Sequence, residues 1–258
     1  MSNMQKLSLV LITKNAASQL EPCLASVRGL VDEIVMVDSG SVDATVSLAE
    51  RHGARISHQD FLGFGPQKRL AVSLASHDWV LCLDADERLT PELAAAIRTE
   101  LASPAFVAYR IARRNSFFGR YLRHGEGYPD WNIRLFDRRR ANWTEDLVHE
   151  FVRTDSEIGT VTGDLLHDSA EEVGSYIAKQ NKYTDIQVDQ LFKAGKRAGV
   201  GKLVSSPLAR FIRFYLFRSG WRDGAAGFAH IAIGSFFAFV KYAKLQERWR
   251  QHEDQQRR

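Results

Sequence analysis

Positions 7–12, Leu-Ser-Leu-Val-Leu-Ile, are apolar at all but one residue, and a short run of this kind predicts a strand buried on both faces of a parallel sheet. Thr13 to Ser18 breaks the run. From Gln19 to Gly29 the apolar residues Leu20, Leu24 and Val27 recur at three- to four-residue spacing and predict a helix. Val31 to Val37 predicts a second strand, closed by Asp38-Ser39-Gly40-Ser41. A helix is then expected over Asp43 to His52, with Gly53 suited to the position after its last turn, and a short strand over Ala54 to Ser57. Gln67 to Ser76 again carries helical spacing. Asp78 to Leu83 is a further buried strand, and it runs directly into Asp84-Ala85-Asp86-Glu87. Thr90-Pro91-Glu92 then opens a helix, with threonine as cap and proline in the first turn.

Strands alternating with helices predict right-handed crossovers and an α/β, Rossmann-like doubly wound, mainly parallel sheet. Ligands bind beyond the carboxyl ends of the strands in such sheets. Thr13 to Asn15, Asp38 to Ser41 and Asp84 to Glu87 therefore belong on one rim. Ala105 to Phe151 reads as mixed strands and loops, with strands over Phe106 to Ala112 and Asn132 to Phe136, and Glu171 to Lys193 reads as a helix.

Gly195 to Ser206 has the composition of a linker, which divides the chain into a catalytic domain over 1–195 and a helical C-terminal segment over 196–258. Within that segment, from Pro207 to Arg218, Leu208, Phe211, Ile212 and Tyr215 form an apolar stripe beside Arg210, Arg213 and Arg218, the composition of an amphipathic helix on an anionic membrane surface. Gly224 to Val240 has 17 residues without Asp, Glu, Lys or Arg, at the short end for a spanning helix. Because it contains His230, Ser235 and several glycines, dipping into one leaflet is favoured over spanning. A hairpin used for dimerisation is the competing account, and the charged tail from Gln246 is expected in solvent.

Composition narrows the function classes. With 258 residues and 45% hydrophobic content the chain can bury a large core. Its two cysteines, Cys23 and Cys82, have no metal or redox spacing and read as reduced, buried thiols. Met1 to Ile12 lacks the pattern of a signal peptide, so the catalytic part is expected in the cytoplasm. The net charge of +4 is concentrated, with nine arginines and three acidic residues between Arg110 and Arg140. No nucleic-acid-binding signature accompanies it. Such arginines suit phosphate or carboxylate on an acceptor, or simply form a solvated basic face. The glycine-rich loops of dinucleotide-binding enzymes and P-loop NTPases are missing from the sequence.

Asp84 and Asp86, one residue apart at a strand end, can hold Mg²⁺ or Mn²⁺, a hard cation that completes its shell with phosphate oxygens and water. It would offset charge on a departing diphosphate. A solvated turn with Glu87 capping the next helix is the alternative. Asp38 can likewise serve a nucleobase or ribose hydroxyl, or merely organise a turn that Ser41 caps.

Three segments in this order, Leu9 to Asn15, Asp32 to Thr45 and Asp78 to Glu87, resemble glycosyltransferase family 2, and within it the lipopolysaccharide core β-1,4-glucosyltransferases. The similarity extends to Gly65-Pro-Gln-Lys-Arg69, Trp131-Asn-Ile-Arg-Leu-Phe136, Val148-His-Glu150, Trp221-Arg-Asp-Gly224 and Lys241-Tyr242. The resemblance implies a GT-A fold, a UDP-hexose donor (commonly UDP-glucose), inversion by one displacement, and a glycolipid acceptor reached from the cytoplasmic face of the bacterial inner membrane. It places Thr13, Asn15 and Asp38 near the uridine, Asp84 and Asp86 at the diphosphate and metal, and Gln67 and Lys68 within reach of the donor. A general base is also required. Asp130, Glu145, Asp146, His149 and Glu150 are the candidates, with Glu150 ranked ahead of Asp130. Two other readings stay open: a polyprenyl-phosphate glycosyltransferase, and a non-catalytic membrane-docking scaffold on the same fold.

Overall fold

The computed structural model describes residues 5–147, 150–168 and 172–256. The first strand, β1 (Leu7–Thr13), is buried almost throughout and has a parallel neighbour on each side. On one side lies β2 (Glu33–Asp38), reached through α1 (Ala17–Ser26), with Thr13 opposite Asp38. Beyond β2, across α2 (Thr45–Arg51), β3 (Arg55–His58) places His58 opposite Asp38. On the other side, after α3 (Phe64–Leu74), β4 (Trp79–Leu83) sets Leu83 opposite Leu11. This register brings the ends of β1, β2 and β4 to one rim, as the sequence predicts.

The remaining elements are β5 (Glu87–Leu89), α4 (Pro91–Ala102), β6 (Ala108–Phe117), β7 (Arg120–Tyr121), β8 (Asp130–Asp137), β9 (Asn142–Trp143), β10 (Val152–Arg153), β11 (Ile158–His167), α5 (Val173–Lys193), α6 (Val200–Ile212) and α7 (Gly224–Gln256). The sheet order is β3-β2-β1-β4-β8-β6-β11-β5, with β7 paired to β6. Its first four strands are parallel, whereas β8 runs antiparallel to β4 and β6 antiparallel to β8. Successive strand residues feed two cores. Leu7, Leu9 and Leu11 pack with Leu20, Leu24, Leu93 and Ile97 from α1 and α4. Val10, Val35 and Val37 pack with Ala71 and Val72 of α3 and with Trp143. Two covered faces explain the unbroken apolar runs. Truncating a fully buried leucine here, such as Leu81→Ala, costs about 2–5 kcal/mol.

Several boundaries differ from the sequence expectation, and three of them have a plain local reason. The second helix starts at Thr45, and Asp43, expected inside it, instead forms a turn ahead of it by accepting the Thr45 amide at 3.0 Å. The third starts at Phe64, ahead of Gln67, since the amides of Phe64 and Gly65 donate to the carbonyls of Leu147 and Asp146 at 3.1 and 3.0 Å. A side chain at Gly65 would collide with the carbonyl oxygens of Thr144 and Asp146. The expected linker over Gly195 to Ser206 is also shorter, for α6 begins at Val200 and runs through Pro207 into a π-helical turn over Arg213–Phe217.

By contacts the chain forms two compact units, one of 1–114 with 130–168, the other of 115–129 with 169–258. Helix α5, expected within the first domain, belongs to the second unit. Lys244 Nζ on α7 donates to Asn181 Oδ1, Thr184 Oγ1 and Asp185 Oδ1 at 2.9, 2.9 and 2.6 Å, and Phe192 packs on Trp249 with ring centroids 4.5 Å apart. In the same unit Phe211, Tyr215 and Phe228 form an aromatic cluster, Arg210 pairs with Glu126, and Asp223 accepts the amides of Arg123 and His124. The apolar stretch from Gly224 is the first half of one helix of 33 residues, and the tail expected in solvent continues it as helix to Gln256.

Candidate functional site

Every residue of the candidate site lies in the first unit. Asp38, at the end of β2, is only 4% exposed, and its two oxygens collect four donors: Thr13 Oγ1, Ser41 Oγ, and the amides of Gly40 and Ser41. Burial pushes its carboxyl up, but the bonds from Ser41, Gly40 and Thr13 prevail and hold it below the usual carboxylate range. Asn15, in the left-handed region at φ 53°, donates its amide to Ser41 Oγ at 2.8 Å and accepts the Val42 amide on Oδ1 at 2.9 Å. The loops after β1 and β2 are thus bonded into one ledge. Within it Asp38 acts first as loop organiser, the turn role the sequence left open.

Gln67 and Lys68 are adjacent on α3 but do different things. Gln67 is fully buried; its amide nitrogen donates to Ser39 Oγ and the Gln59 carbonyl, and its oxygen accepts the Leu62 amide. With all of its polar atoms used inside the protein, Gln67 tethers the ledge and does not face the rim as expected. Lys68 does face it. Its Nζ lies 3.1 Å from Asp84 Oδ1, 2.8 Å from Glu150 Oε1 and 4.5 Å from the centre of the Trp143 ring.

From Glu150 a chain of alternating charge runs across the site. After Lys68 and Asp84 comes Arg134, whose Nη2 reaches Asp84 Oδ2 at 2.8 Å and Glu87 Oε1 at 2.6 Å. Arg113 continues it, with Nη1 3.1 Å from Glu87 Oε1 and Nη2 2.7 Å from Asp130 Oδ2. Four carboxylates therefore alternate with three cations, and both leading base candidates are its ends. Burial disfavours charge on Asp84, yet Arg134 and Lys68 outweigh it and hold the carboxyl well below its ordinary value. Glu87 is wholly buried, and besides its arginines it accepts the Asp84 amide at 3.1 Å. It is an anchor for Arg134 and not the exposed helix cap the sequence allowed.

Asp86 lies apart from this chain. Its Oδ2 is 3.2 Å from His167 Nε2 at the end of β11, where the Asp168 amide donates to the Asp86 carbonyl at 2.8 Å. Both side chains are partly open to solvent, at 27% and 18%. The Asp86 carboxylate at this open edge fits Mg²⁺ or Mn²⁺ whose remaining positions go to phosphate oxygens and water, and the His167 imidazole beside it suits Mn²⁺ better than Mg²⁺. Asp84, expected as the other ligand, directs each of its oxygens at a cation, so Asp86 with His167 is the better placed pair. Among the described residues no three His, Cys, Asp or Glu side chains converge as a closed metal cage.

Of the other base candidates, Glu145 is 82% exposed and 3.8 Å from Arg69 Nε, and Asp146 is exposed, with its backbone holding the start of α3. His149 lies outside the described residues. Both cysteines are free and buried, and burial pushes the Cys82 thiol up to about 12.

The model of Glycosyl transferase family 2 matches residues 8–156, a span that contains β1, the ledge, Lys68, the Asp84–Glu87 turn, Arg134 and Glu150. The chain belongs to glycosyl transferase family 2. Its mixed sheet is the GT-A architecture that the resemblance implied, and the protein is a glycosyltransferase. This family member is similar to the lipopolysaccharide core biosynthesis glycosyltransferase LpsC of Rhizobium meliloti, 34% identical over 251 residues, covering 94% of this chain and 92% of that protein. It is also 31% identical over 258 residues to an uncharacterized glycosyltransferase of Rickettsia felis, across 95% of this chain and 90% of the relative. Among solved structures it is similar to glucosyl-3-phosphoglycerate synthase from Mycobacterium tuberculosis in complex with Mn²⁺, UDP and glucosyl-3-phosphoglycerate, at 27% identity, 43% coverage of this chain, 44% of that chain and a TM-score of 0.37.

Proposed function

We propose that this family-2 transferase moves a hexose, glucose in the first instance, from a UDP-sugar to a hydroxyl of the lipopolysaccharide inner core, on heptose, with inversion at the anomeric carbon. The observation that carries the reading is the rim at which strand register brings together the ends of β1, β2 and β4, bearing the Thr13-Asn15-Asp38 ledge, the Lys68-Asp84-Glu150 ion pairs and Asp86-His167. The acceptor class is supported by the Rhizobium meliloti relative, similar over nearly the whole chain.

In this reaction the acceptor oxygen forms the new bond to the anomeric carbon as the bond to the diphosphate oxygen breaks, the electron pair leaving with the diphosphate. The acceptor proton passes to a carboxylate on the acceptor side. Glu150 is the first candidate, because Lys68 holds it beside Asp84, whereas Asp130 lies at the far end of the charge chain. The ledge receives the uridine through backbone and hydroxyl groups. Asp86 and His167 would hold the divalent cation, which supplies Lewis-acid stabilisation of the leaving diphosphate. Lys68 places a positive charge next to the same group.

Membrane association of the second unit is part of the proposal. Val204, Leu208, Leu216 and Phe217 are 64%, 56%, 56% and 82% exposed beside Arg213 and Arg218, the arrangement of an interfacial surface on anionic lipid. By length and composition Gly220–Gln256 is also sufficient to cross a membrane, but 44% of its apolar window is buried within the protein, which favours a peripheral position; the cytoplasmic face is part of the proposal. Radiolabelled UDP-hexoses offered with Mn²⁺ and either a truncated core oligosaccharide or a polyprenyl phosphate test the whole reading. Transfer of glucose to the core oligosaccharide is expected. Labelling of the polyprenyl phosphate alone would replace this acceptor, and failure with every donor would revive a scaffold role.

A further inference from the structure

Beside the transfer site a groove of about 790 Å³ is lined by Arg69, Arg138, Arg139, Arg140 and Arg153. Its acidic lining residues are Glu145, Asp146 and Asp155, so arginine is in excess. Two of the arginines are committed inside the protein. Arg139 is paired with Asp137 at 2.6 Å and Asp78 at 2.9 Å, and Arg69 donates to the Trp143 carbonyl at 2.7 Å. The other three are held more loosely, Arg140 acting on the Asp137 carboxylate only through its field. Arg138 donates Nε to the His77 carbonyl at 2.9 Å, and Arg140 meets the Ser156 hydroxyl at 3.3 Å. Neither they nor Arg153 enter an ion pair among the described residues.

Trp143 connects this groove to the chemistry. It lines the groove and also the small cavity that holds Lys68, Asp84 and Arg134, with Lys68 Nζ 4.5 Å from its ring centre. The lining carries five arginines against three carboxylates, an excess of positive charge that an anionic ligand can offset, and the planar guanidinium matches the oxygen pairs of phosphate and carboxylate. We infer that the groove is an acceptor subsite that binds phosphate or carboxylate groups on the acceptor glycan, remote from the hydroxyl that reacts. This inference rests on the acceptor reading above for the identity of the glycan. Arg140 and Arg153 hold the anionic groups, and Trp143 separates them from the reacting centre.

The test is calorimetric binding of a deacylated lipopolysaccharide core oligosaccharide to the wild-type protein and to an Arg140→Gln/Arg153→Gln variant, both positions being exposed. The variant is expected to bind roughly ten- to a hundredfold more weakly, in line with the loss of two charge-assisted contacts, and to keep the melting temperature and the UDP affinity of the wild type. Phosphatase treatment and carboxyl reduction of the oligosaccharide identify the anionic group, since whichever matters weakens wild-type binding and leaves the variant unaffected. Equal affinity of the two proteins overturns the inference, as does undetectable wild-type binding or a defect that persists with the neutralised oligosaccharide. Transfer activity separates the two proposals. A wild type that binds the oligosaccharide through these arginines without glycosylating it removes the reaction and leaves the groove, whereas normal transfer by the variant at unchanged acceptor KM removes the groove and leaves the reaction.

Discussion

Replacing Arg134 by Met tests the charge chain at its centre. Methionine keeps much of the buried volume at a site only 3% exposed but removes the contacts at 2.8 Å to Asp84 and 2.6 Å to Glu87. Breaking a buried ion pair by deleting one partner costs about 3–5 kcal/mol. Here Asp84 keeps Lys68 and Glu87 keeps Arg113, and Asp84 is 31% exposed to water. Discounting for those, the expected loss is about 2–4 kcal/mol, or a fall in melting temperature of roughly 5–15 °C. The pH dependence is distinctive. In the wild type the depressed carboxyl of Asp84 contributes stability that is complete above its unfolded value near 3.9 and is lost only as pH falls through its lower folded value. Without Arg134 the folded value rises, so acidification neutralises the uncompensated charge in the variant first. Thermal melts followed by circular dichroism should therefore show the largest deficit near neutrality and a smaller one toward pH 4. A variant as stable as the wild type at neutral pH, or a deficit that widens on acidification, refutes the reasoning. The Arg134→Met/Glu87→Gln double variant should recover part of the loss.

Other substitutions probe separate links. Glu150→Gln should lower kcat by about 10²–10⁴-fold, the range for a lost general base, with UDP binding retained in calorimetry, while Asp130→Asn should have much the smaller effect; the reverse order would move the base to Asp130. Gly65→Ala should destabilise the first unit and weaken donor binding, because its new methyl group forces the 144–146 backbone away from α3, and thermal melts together with UDP titration would detect both effects. Glu33, lowered to about 2 by hydrogen bonds from Arg55, Ser76 and Ser8 that outweigh the opposing effect of burial, contributes stability that is lost as pH falls from about 4.3 toward that value. The melting temperature of Glu33→Gln should accordingly lie below wild type at neutral pH and converge with it at the acid end.

Much of the rim was legible in the sequence because it depends on local pattern. Apolar runs located β1, β2 and β4, and parallel pairing then required Thr13, Asp38 and Asp84 to meet at one edge. What links these residues could not be read that way. Arg134 finds Asp84 and Glu87 from 50 and 47 positions away, and His167 finds Asp86 from 81, so sequence proximity showed only a basic stretch and an isolated histidine. An arginine within the apolar strand Ile133-Arg134-Leu135-Phe136 was the available signal, since burial there demands a carboxylate partner. Gln67 looked available to a ligand because its place at the start of a helix concealed three internal hydrogen bonds, two donated to Ser39 and Gln59 and one accepted from Leu62. The amphipathic stripe was read from Pro207 onward, yet α6 begins at Val200 and carries Pro207 in its interior.

The central claim is a metal-assisted nucleotide site at the Asp84–Asp86 rim, and calorimetric titration of UDP into wild-type and Asp86→Ala protein, with and without Mn²⁺, tests it most directly. Saturable UDP binding by the wild type that strengthens with Mn²⁺, and an Asp86→Ala variant that folds normally but loses the Mn²⁺-dependent increment, is the predicted result. Equal UDP affinity in the two proteins at every Mn²⁺ concentration would contradict it.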